Sequence, residues 1–289
     1  MTQKNNVPLG IAIMIVTTIV FSIQDGLSRH LAGEYNVLMI VMIRYWFFGA
    51  FVLTVAKRNA GSIVAAARTS QPLIQIIRGL LLCLEICLMV VAYTVLGLIE
   101  THAVFICYPL LVAALSGPVL GEHVGWRRWA AIAVGFMGVM IILKPDTSVF
   151  DIRALLPFVS ALMFAVYGLL TRYVGRTDST ATSFFWTGVV GCIVLTVVGI
   201  SSWEPMATID WFWMGCLCVT GITGHWLLIR CYEVAEASAV QPFAFFQLGF
   251  VALIGMTVFG ETISLNVAMG GTIIVAAGLF TFWRERLQG

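Results

Sequence analysis

Ten long apolar runs divide this 289-residue chain and leave little between them. A helix rises 1.5 Å per residue and the hydrocarbon core of a bilayer is about 30 Å thick, so roughly 20 mostly apolar residues make one crossing. The runs cover 8–28, 36–56, 73–95, 98–120, 128–144, 153–173, 180–201, 209–230, 237–259 and 264–283. Barrel strands are about half this length and alternate polar with apolar positions, so these runs read as helices. Charged residues make up 10% of the chain, against about 25% in an ordinary soluble domain, which is too few to coat a water-soluble fold. Only 57–72 is long enough to be a loop with structure of its own. The first run lacks a signal-peptide cleavage pattern and ends at Gln24-Asp25, so it is expected to stay as a span.

Lysine and arginine set the orientation. With the N-terminus in the cytoplasm, the inside carries Lys4, Lys57, Arg58, Arg68, Arg127, Arg128, Arg172, Arg176, Arg284 and Arg286, and the outside only Arg29, Lys144 and Arg153. That bias places both termini in the cytoplasm and the chain in the inner (plasma) membrane as a multi-pass protein. The lipid bilayer is its first partner. A net charge of +2 points to no nucleic acid. Cys83, Cys87, Cys107, Cys192, Cys216, Cys218 and Cys231 all sit in apolar runs without His or Asp at ligand spacing, so they read as small packing residues, with no metal site and no disulfide framework.

The two halves resemble each other. Tyr93 and Tyr232 are 139 residues apart, and at the same offset Gly121-Glu122 matches Gly260-Glu261. Earlier, "FSIQDGLSRHL" (21–31) matches "FAVYGLLTRYV" (164–174), with Arg29 opposite Arg172. The expectation is an all-α membrane protein of ten transmembrane helices built as two inverted five-helix repeats, 1–145 and 146–289. Five is odd, so the second copy enters the membrane upside down. Inverted repeats are a signature of secondary transporters, whose solute sits near the midplane between the copies.

With these motifs in view, the chain resembles the drug/metabolite transporter superfamily in its EamA-type branch. The likeness is carried by the Gly-Glu turns at 121–122 and 260–261, by the small-residue helices after them (Gly135, Gly138; Gly270, Gly271, Gly278), by "RGLLL" at 78–82, by "AYTVLGLIETHAVF" at 92–105 and by "GVMIILKP" at 138–145. The resemblance implies a ten-helix bundle that moves a small organic metabolite by alternating access, without a cofactor. It allows amino acids, flavin-like or nucleotide-like metabolites, adenosylmethionine or toxic cations. Arg78-Gly79 through Glu100 is closest to members that handle adenosylmethionine or other planar metabolites. A monomer and a homodimer are both open.

Ionisable residues inside apolar runs are the candidates for chemistry, because a charge at mid-membrane costs at least about 2.5 kcal/mol and so faces a cavity or a partner. Glu85 lies near the middle of the third run. Arg78, two turns earlier on the same face, either lines one groove with it or snorkels to the surface. His225 stands deep in the eighth run, opposite Ile86 in the repeat, and is a proton-responsive group. Arg44 either binds an anionic group or pairs with Asp25 or Glu85. Tyr108 matches Gln247 and His102 matches Gln241, in helices interrupted by Pro109 and Pro242. Tyr93 and Tyr167 offer stacking surfaces. Glu122 and Glu261 read as turn residues capping the following helices. The expected cavity is lined by spans one, three, four, six, eight and nine.

No P-loop, GxSxG, HExxH or paired CxxC is present, so the chain is not read as an enzyme. A membrane-embedded enzyme and a non-transporting scaffold are the alternatives, though the loops are too short to offer a scaffold's interaction surface.

Overall fold

The computed structural model describes residues 6–59, 62–121, 125–143, 153, 155–235 and 237–288, and every regular element among them is helical. The helices are α1 (Val7–Ala32), α2 (Val37–Asn59), α3 (Ile63–Ala67), α4 (Pro72–Leu96), α5 (Leu98–Phe105), α6 (Tyr108–Leu120), α7 (Trp126–Leu143), α8 (Leu155–Val174), α9 (Thr180–Gly199), α10 (Thr208–Val234), α11 (Ala237–Ala244), α12 (Phe246–Phe259) and α13 (Leu265–Gln288), with a 3-10 turn over Ile200–Ser202. Among the described residues eight segments are long and apolar enough to cross a membrane, and two shorter apolar helices lie at Trp129–Ile142 and Leu265–Phe280. The short α3 occupies the one loop long enough to hold structure. The fourth and ninth runs are each broken, after Phe105 and after Ala244, 139 residues apart.

Packing maps onto itself when the halves are exchanged. α1 packs on α10 as α4 packs on α8, α1 on α12 as α8 on α6, and α1 on α11 as α8 on α5. α2 meets its counterpart α9, and α7 meets its counterpart α13. The last pair approaches closely through Gly138 and Gly270, where an added Cβ would lie 2.7 Å and 2.4 Å from the other's carbonyl oxygen. Without water to drive helices together, such small-residue contacts carry much of the association in a bilayer. The side-chain pairing repeats as well. The Tyr93 hydroxyl meets His102 Nε2 at 3.1 Å, and Gln241 Nε2 donates to the Tyr232 hydroxyl at 2.9 Å.

The two Gly turns lie at opposite ends of the bundle. Gly121 and Gly260 both end their helices in the left-handed conformation, at φ 75° and 65°. Beside Gly121, the Leu120 carbonyl accepts from Arg176 Nη2 at 3.2 Å. That end also holds the Thr180–Glu233 hydrogen bond of 2.7 Å and the Asn6 N–H donating to the Val234 carbonyl at 2.9 Å. Beyond Gly260, Glu261 is ion-paired with Arg29, near the other end of α1. The intervening part of α1 is about 35 Å long at 1.5 Å per residue. Glu122 and Lys144 lie outside the described residues.

Glu261 does not cap the helix that follows it. Its two carboxylate oxygens accept from the Leu98 and Ile99 amides at 2.8 Å each, so it caps α5, in the other half of the chain. The first amides of a helix have no intrahelical acceptor, and inside a membrane protein they must find one. Gly97 makes the approach possible: its φ is +86° and a Cβ there would stand 2.9 Å from Glu261 Oε1. The expected cap on the following helix gives way to one on α5, because tertiary packing brings the start of α5 under this turn.

Candidate functional site

A cavity lies between the halves, lined by Phe21, Gln24, Asp25 and Ser28 of α1, Arg44 of α2, Glu85, Ile86, Met89, Val90 and Tyr93 of α4, His102 and Phe105 of α5, Phe164 of α8, His225 of α10 and Gln247 of α12. These are the expected spans with the second added, through Arg44. The cavity holds about 40 Å³, room for a few waters. Metabolite-sized sites are typically about 300–1,000 Å³, so a solute requires the helices to part.

Each polar side chain gets there by its place on a helix. Glu85 stands 13 residues into α4, about 20 Å along its axis. It is 4% exposed and makes no hydrogen bond or ion pair through its side chain among the described residues. Arg44 is 4% exposed. Its Nη2 donates to Gln24 Oε1 at 3.0 Å and lies 3.2 Å from His225 Nε2. A guanidinium only donates, so His225 accepts at Nε2 and carries its ring proton on Nδ1, which is buried without a partner. The expected pairing of Arg44 with Asp25 or Glu85 is replaced by these two neutral acceptors. Asp25 instead meets His102 Nε2 at 3.0 Å and accepts from Gln247 Nε2 at 3.1 Å. Phe21 packs edge-on against the His225 ring at a centroid distance of 5.2 Å, and Phe105 and Phe164 pack at 5.6 Å to form an apolar wall.

Of the residues singled out from sequence, Glu85, His225, Arg44, Gln247 and Tyr93 line this cavity, and Arg78, Tyr108 and Tyr167 do not. Tyr108 stands behind the wall, 5.2 Å from Phe105 and 5.0 Å from Phe164. Tyr167 packs on Phe164 at 6.0 Å and lies 5.3 Å beneath the Arg78 guanidinium. Arg78 neither shares a groove with Glu85 nor snorkels. It is 0% exposed, donating to Gln75 Oε1 at 3.2 Å, to Thr171 Oγ1 and Thr187 Oγ1 at 2.9 Å each, and to the Ser183 carbonyl. Gln75 passes the contact on, its Nε2 donating to Asp178 Oδ2 at 2.8 Å. Arg78 thus ties α4 to α8 and α9.

Two ionisable lining residues, Asp25 and His102, fall outside the candidates that the sequence singles out. Gln24-Asp25 looks like the end of an apolar run in the sequence, but α1 continues to Ala32 and keeps Asp25 inside the helix. His102 stands out in the sequence only as the repeat match of Gln241. The signal for both was a polar residue within a span-length segment. A second cavity, of about 230 Å³, lies at the Gly121 end, lined by Thr171, Asp178, Thr180, Ser183, Tyr232 and Glu233 among others. Thr171 and Ser183 also hold Arg78.

Comparison with known proteins follows the same architecture. The EamA-like transporter family matches residues 8–144 and again 152–283. An S-adenosylmethionine uptake transporter of Rickettsia prowazekii (strain Madrid E) is 26% identical over 280 residues, 96% of this chain and 93% of that protein. A riboflavin transporter of Vibrio cholerae serotype O1 is 26% identical over 290 residues, 99% and 97% of the two chains. Another riboflavin transporter, from Rhizobium johnstonii, is 27% identical over 290 residues, 98% and 94%. One solved crystal structure shares the fold with a TM-score of 0.69 at 16% identity, covering 96% of this chain and 98% of that one.

Proposed function

The chain belongs to the EamA-like transporter family and is a membrane metabolite transporter, and we propose that it carries its solute through the cavity between the halves by alternating access. The observation that carries this is the gathering of Asp25, Arg44, Glu85, His102, His225 and Gln247, from both halves, around one buried space. Ionisable groups are costly in a membrane interior and mark solute pathways. Relatives named for S-adenosylmethionine uptake and for riboflavin transport support a solute of that size, with no catalytic step.

In this reading all ten runs cross the inner membrane, as two inverted repeats meeting near 145, with both termini in the cytoplasm. The exchangeable packing of the halves and the opposite placement of Gly121 and Gly260 support the inversion. The Lys/Arg bias supports the orientation. It makes the 230 Å³ cavity the cytoplasmic vestibule and the Arg29–Glu261 pair part of the external closure. Glu85, Arg44, His225, Gln247 and Tyr93 contact or couple to the solute. Tyr108, Tyr167 and Arg78 support that site from behind.

Uptake of radiolabelled S-adenosylmethionine and of riboflavin into sealed vesicles containing the purified protein tests this. Saturable accumulation of either, absent from protein-free vesicles, is the expected result. No movement of these solutes or of common amino acids, in either direction, from a protein that is folded and inserted would defeat it.

A further inference from the structure

Four basic side chains at the Gly121 end of the bundle have no acidic partner. Lys57 and Arg58 lie in the last turn of α2, Arg68 follows α3, and Arg176 stands on the turn between α8 and α9. All four are exposed, and none has an ion-pair partner among the described residues. From 57 to 68 the sequence contains no Asp or Glu. Asp178, the carboxylate beside them, is taken up by Thr69 Oγ1 and by Gln75 Nε2.

Apolar surface lies among these charges and opens to the outside of the bundle. Val64 of α3 is 80% exposed, Leu73 at the start of α4 68% and Ile63 44%. The segment that carries them is fixed in place. The Ala67 carbonyl accepts from Trp186 Nε1 at 3.1 Å, and the Ser70 hydroxyl and Gln71 Nε2 bond Thr177 Oγ1 at 3.3 Å and 3.2 Å. Apolar side chains flanked by Lys and Arg are stabilised at the boundary between headgroups and acyl chains. Each basic residue near an anionic surface strengthens attachment about fivefold. The opposite end is built differently. There Tyr35 bonds Asp210 at 2.7 Å, and the exposed side chains around it are Trp203, Trp211, Phe212 and Trp213. Such rings sit at headgroup level through their amphipathic shape. Attraction to anionic lipid is thereby concentrated at the Gly121 end.

We propose that the segment carrying α3 is a binding site for anionic phospholipid. Ile63, Val64 and Leu73 lie among the outermost acyl carbons, and Lys57, Arg58 and Arg68 bind headgroup phosphates of the leaflet at the Gly121 end. This rests on the reading that the apolar runs span a bilayer, whatever solute is carried. Asp178, to which the segment is bonded, also lines the 230 Å³ cavity, so the lipid site borders the mouth on that side.

The test uses the purified full chain. Phosphatidylglycerol is titrated into the protein in a zwitterionic detergent and melting is followed, with phosphatidylcholine and inorganic phosphate as the other probes. A ligand of the native state raises its apparent stability by mass action. Phosphatidylglycerol is expected to raise the melting temperature saturably, and the other two probes to leave it unchanged. Lys57→Gln, Arg58→Gln and Arg68→Gln combined weaken the phosphatidylglycerol response at least about tenfold. The charge-conserving set Lys57→Arg, Arg58→Lys and Arg68→Lys retains it. Insertion is read separately from Val64→Cys, carrying an environment-sensitive dye in a background with the seven native cysteines replaced. In liposomes its emission is quenched by lipids brominated near the top of the acyl chain. The site is overturned by an equal response to phosphatidylcholine, by the same shift from inorganic phosphate, by an undiminished response in the triple glutamine variant, or by an unquenched dye. Lipid binding without vesicle uptake of any solute defeats the transport reading and leaves this site standing. Uptake without the lipid response does the reverse.

Discussion

The Glu261 carboxylate is ion-paired with Arg29 at one end of the bundle, four residues beyond the point where Asp25 of the same helix meets His102. Glu261 also caps α5 at Leu98 and Ile99, and His102 lies four residues into that helix. α1 and α5 are therefore joined by two rungs one turn apart, one at the cavity and one above it. The outer rung is a structural cap and an ion pair together. Glu261→Ala strips two amides and a guanidinium of their acceptor and is expected to lower stability by about 2–4 kcal/mol, since each buried unsatisfied group costs about 1–3 kcal/mol. Glu261→Gln keeps one oxygen acceptor and should lie in between. Gly97→Ala, at φ +86°, should destabilise comparably to Glu261→Gln. Melting of the three variants in one detergent checks the order; an unperturbed Glu261→Ala would remove the cap.

Topology is tested by labelling. Gly125→Cys, where a Cβ meets nothing within 4 Å, and Thr262→Cys, exposed beyond the Gly260 turn, are placed singly in a background with the seven native cysteines replaced. An impermeant thiol reagent applied outside intact cells should label Thr262→Cys only, and Gly125→Cys only after permeabilisation. Labelling of both from one side would sink the inverted arrangement.

Glu85 and Arg78, two turns apart on α4, should behave oppositely. Glu85 has no side-chain hydrogen bond to lose and glutamine keeps its shape, so Glu85→Gln should melt within about 1 kcal/mol of the wild type, the size of one ordinary hydrogen bond, while uptake or its pH dependence disappears. Arg78 links three helices through Gln75, Thr171, Thr187 and Ser183. Arg78→Gln should cost about 3 kcal/mol, in the range for breaking a buried charged network, and reduce expression. A stable Arg78→Gln, or a destabilised Glu85→Gln, would reverse the two roles.

The repeated pairs Tyr93–His102 and Tyr232–Gln241 should likewise separate. In Tyr232→Phe, Gln241 loses the hydroxyl acceptor of its Nε2, while its Oε1 is already buried without a partner. A loss of about 1–2 kcal/mol is expected. In Tyr93→Phe, His102 keeps Asp25, so stability should change less and uptake more. Paired melting and uptake curves decide it; equal effects on both readouts would leave the pairs functionally equivalent.

The apolar runs, the Lys/Arg bias and the 139-residue spacing were decided by local chemistry, and that is why they were legible in the sequence. A helix must be long to cross hydrocarbon, charge resists crossing it, and a duplicated segment keeps its turn residues at matching places, as Gly121 and Gly260 do. Glu85, His225 and Arg44 were legible as candidates because a charge within an apolar run needs a reason to be there. What each of them faces was not legible. Arg78 and Glu85 share a helix face, yet one is taken up by α8 and α9 and the other is left to the cavity. Arg44 found Gln24 and His225 rather than a carboxylate, and Glu261 found a helix amide more than 160 residues earlier in the chain. Spacing along one helix fixes only the direction in which a side chain leaves it. Whether an acceptor, a ring or an open space waits there depends on which helix packs opposite and in what register, and that is settled only when the two halves come together.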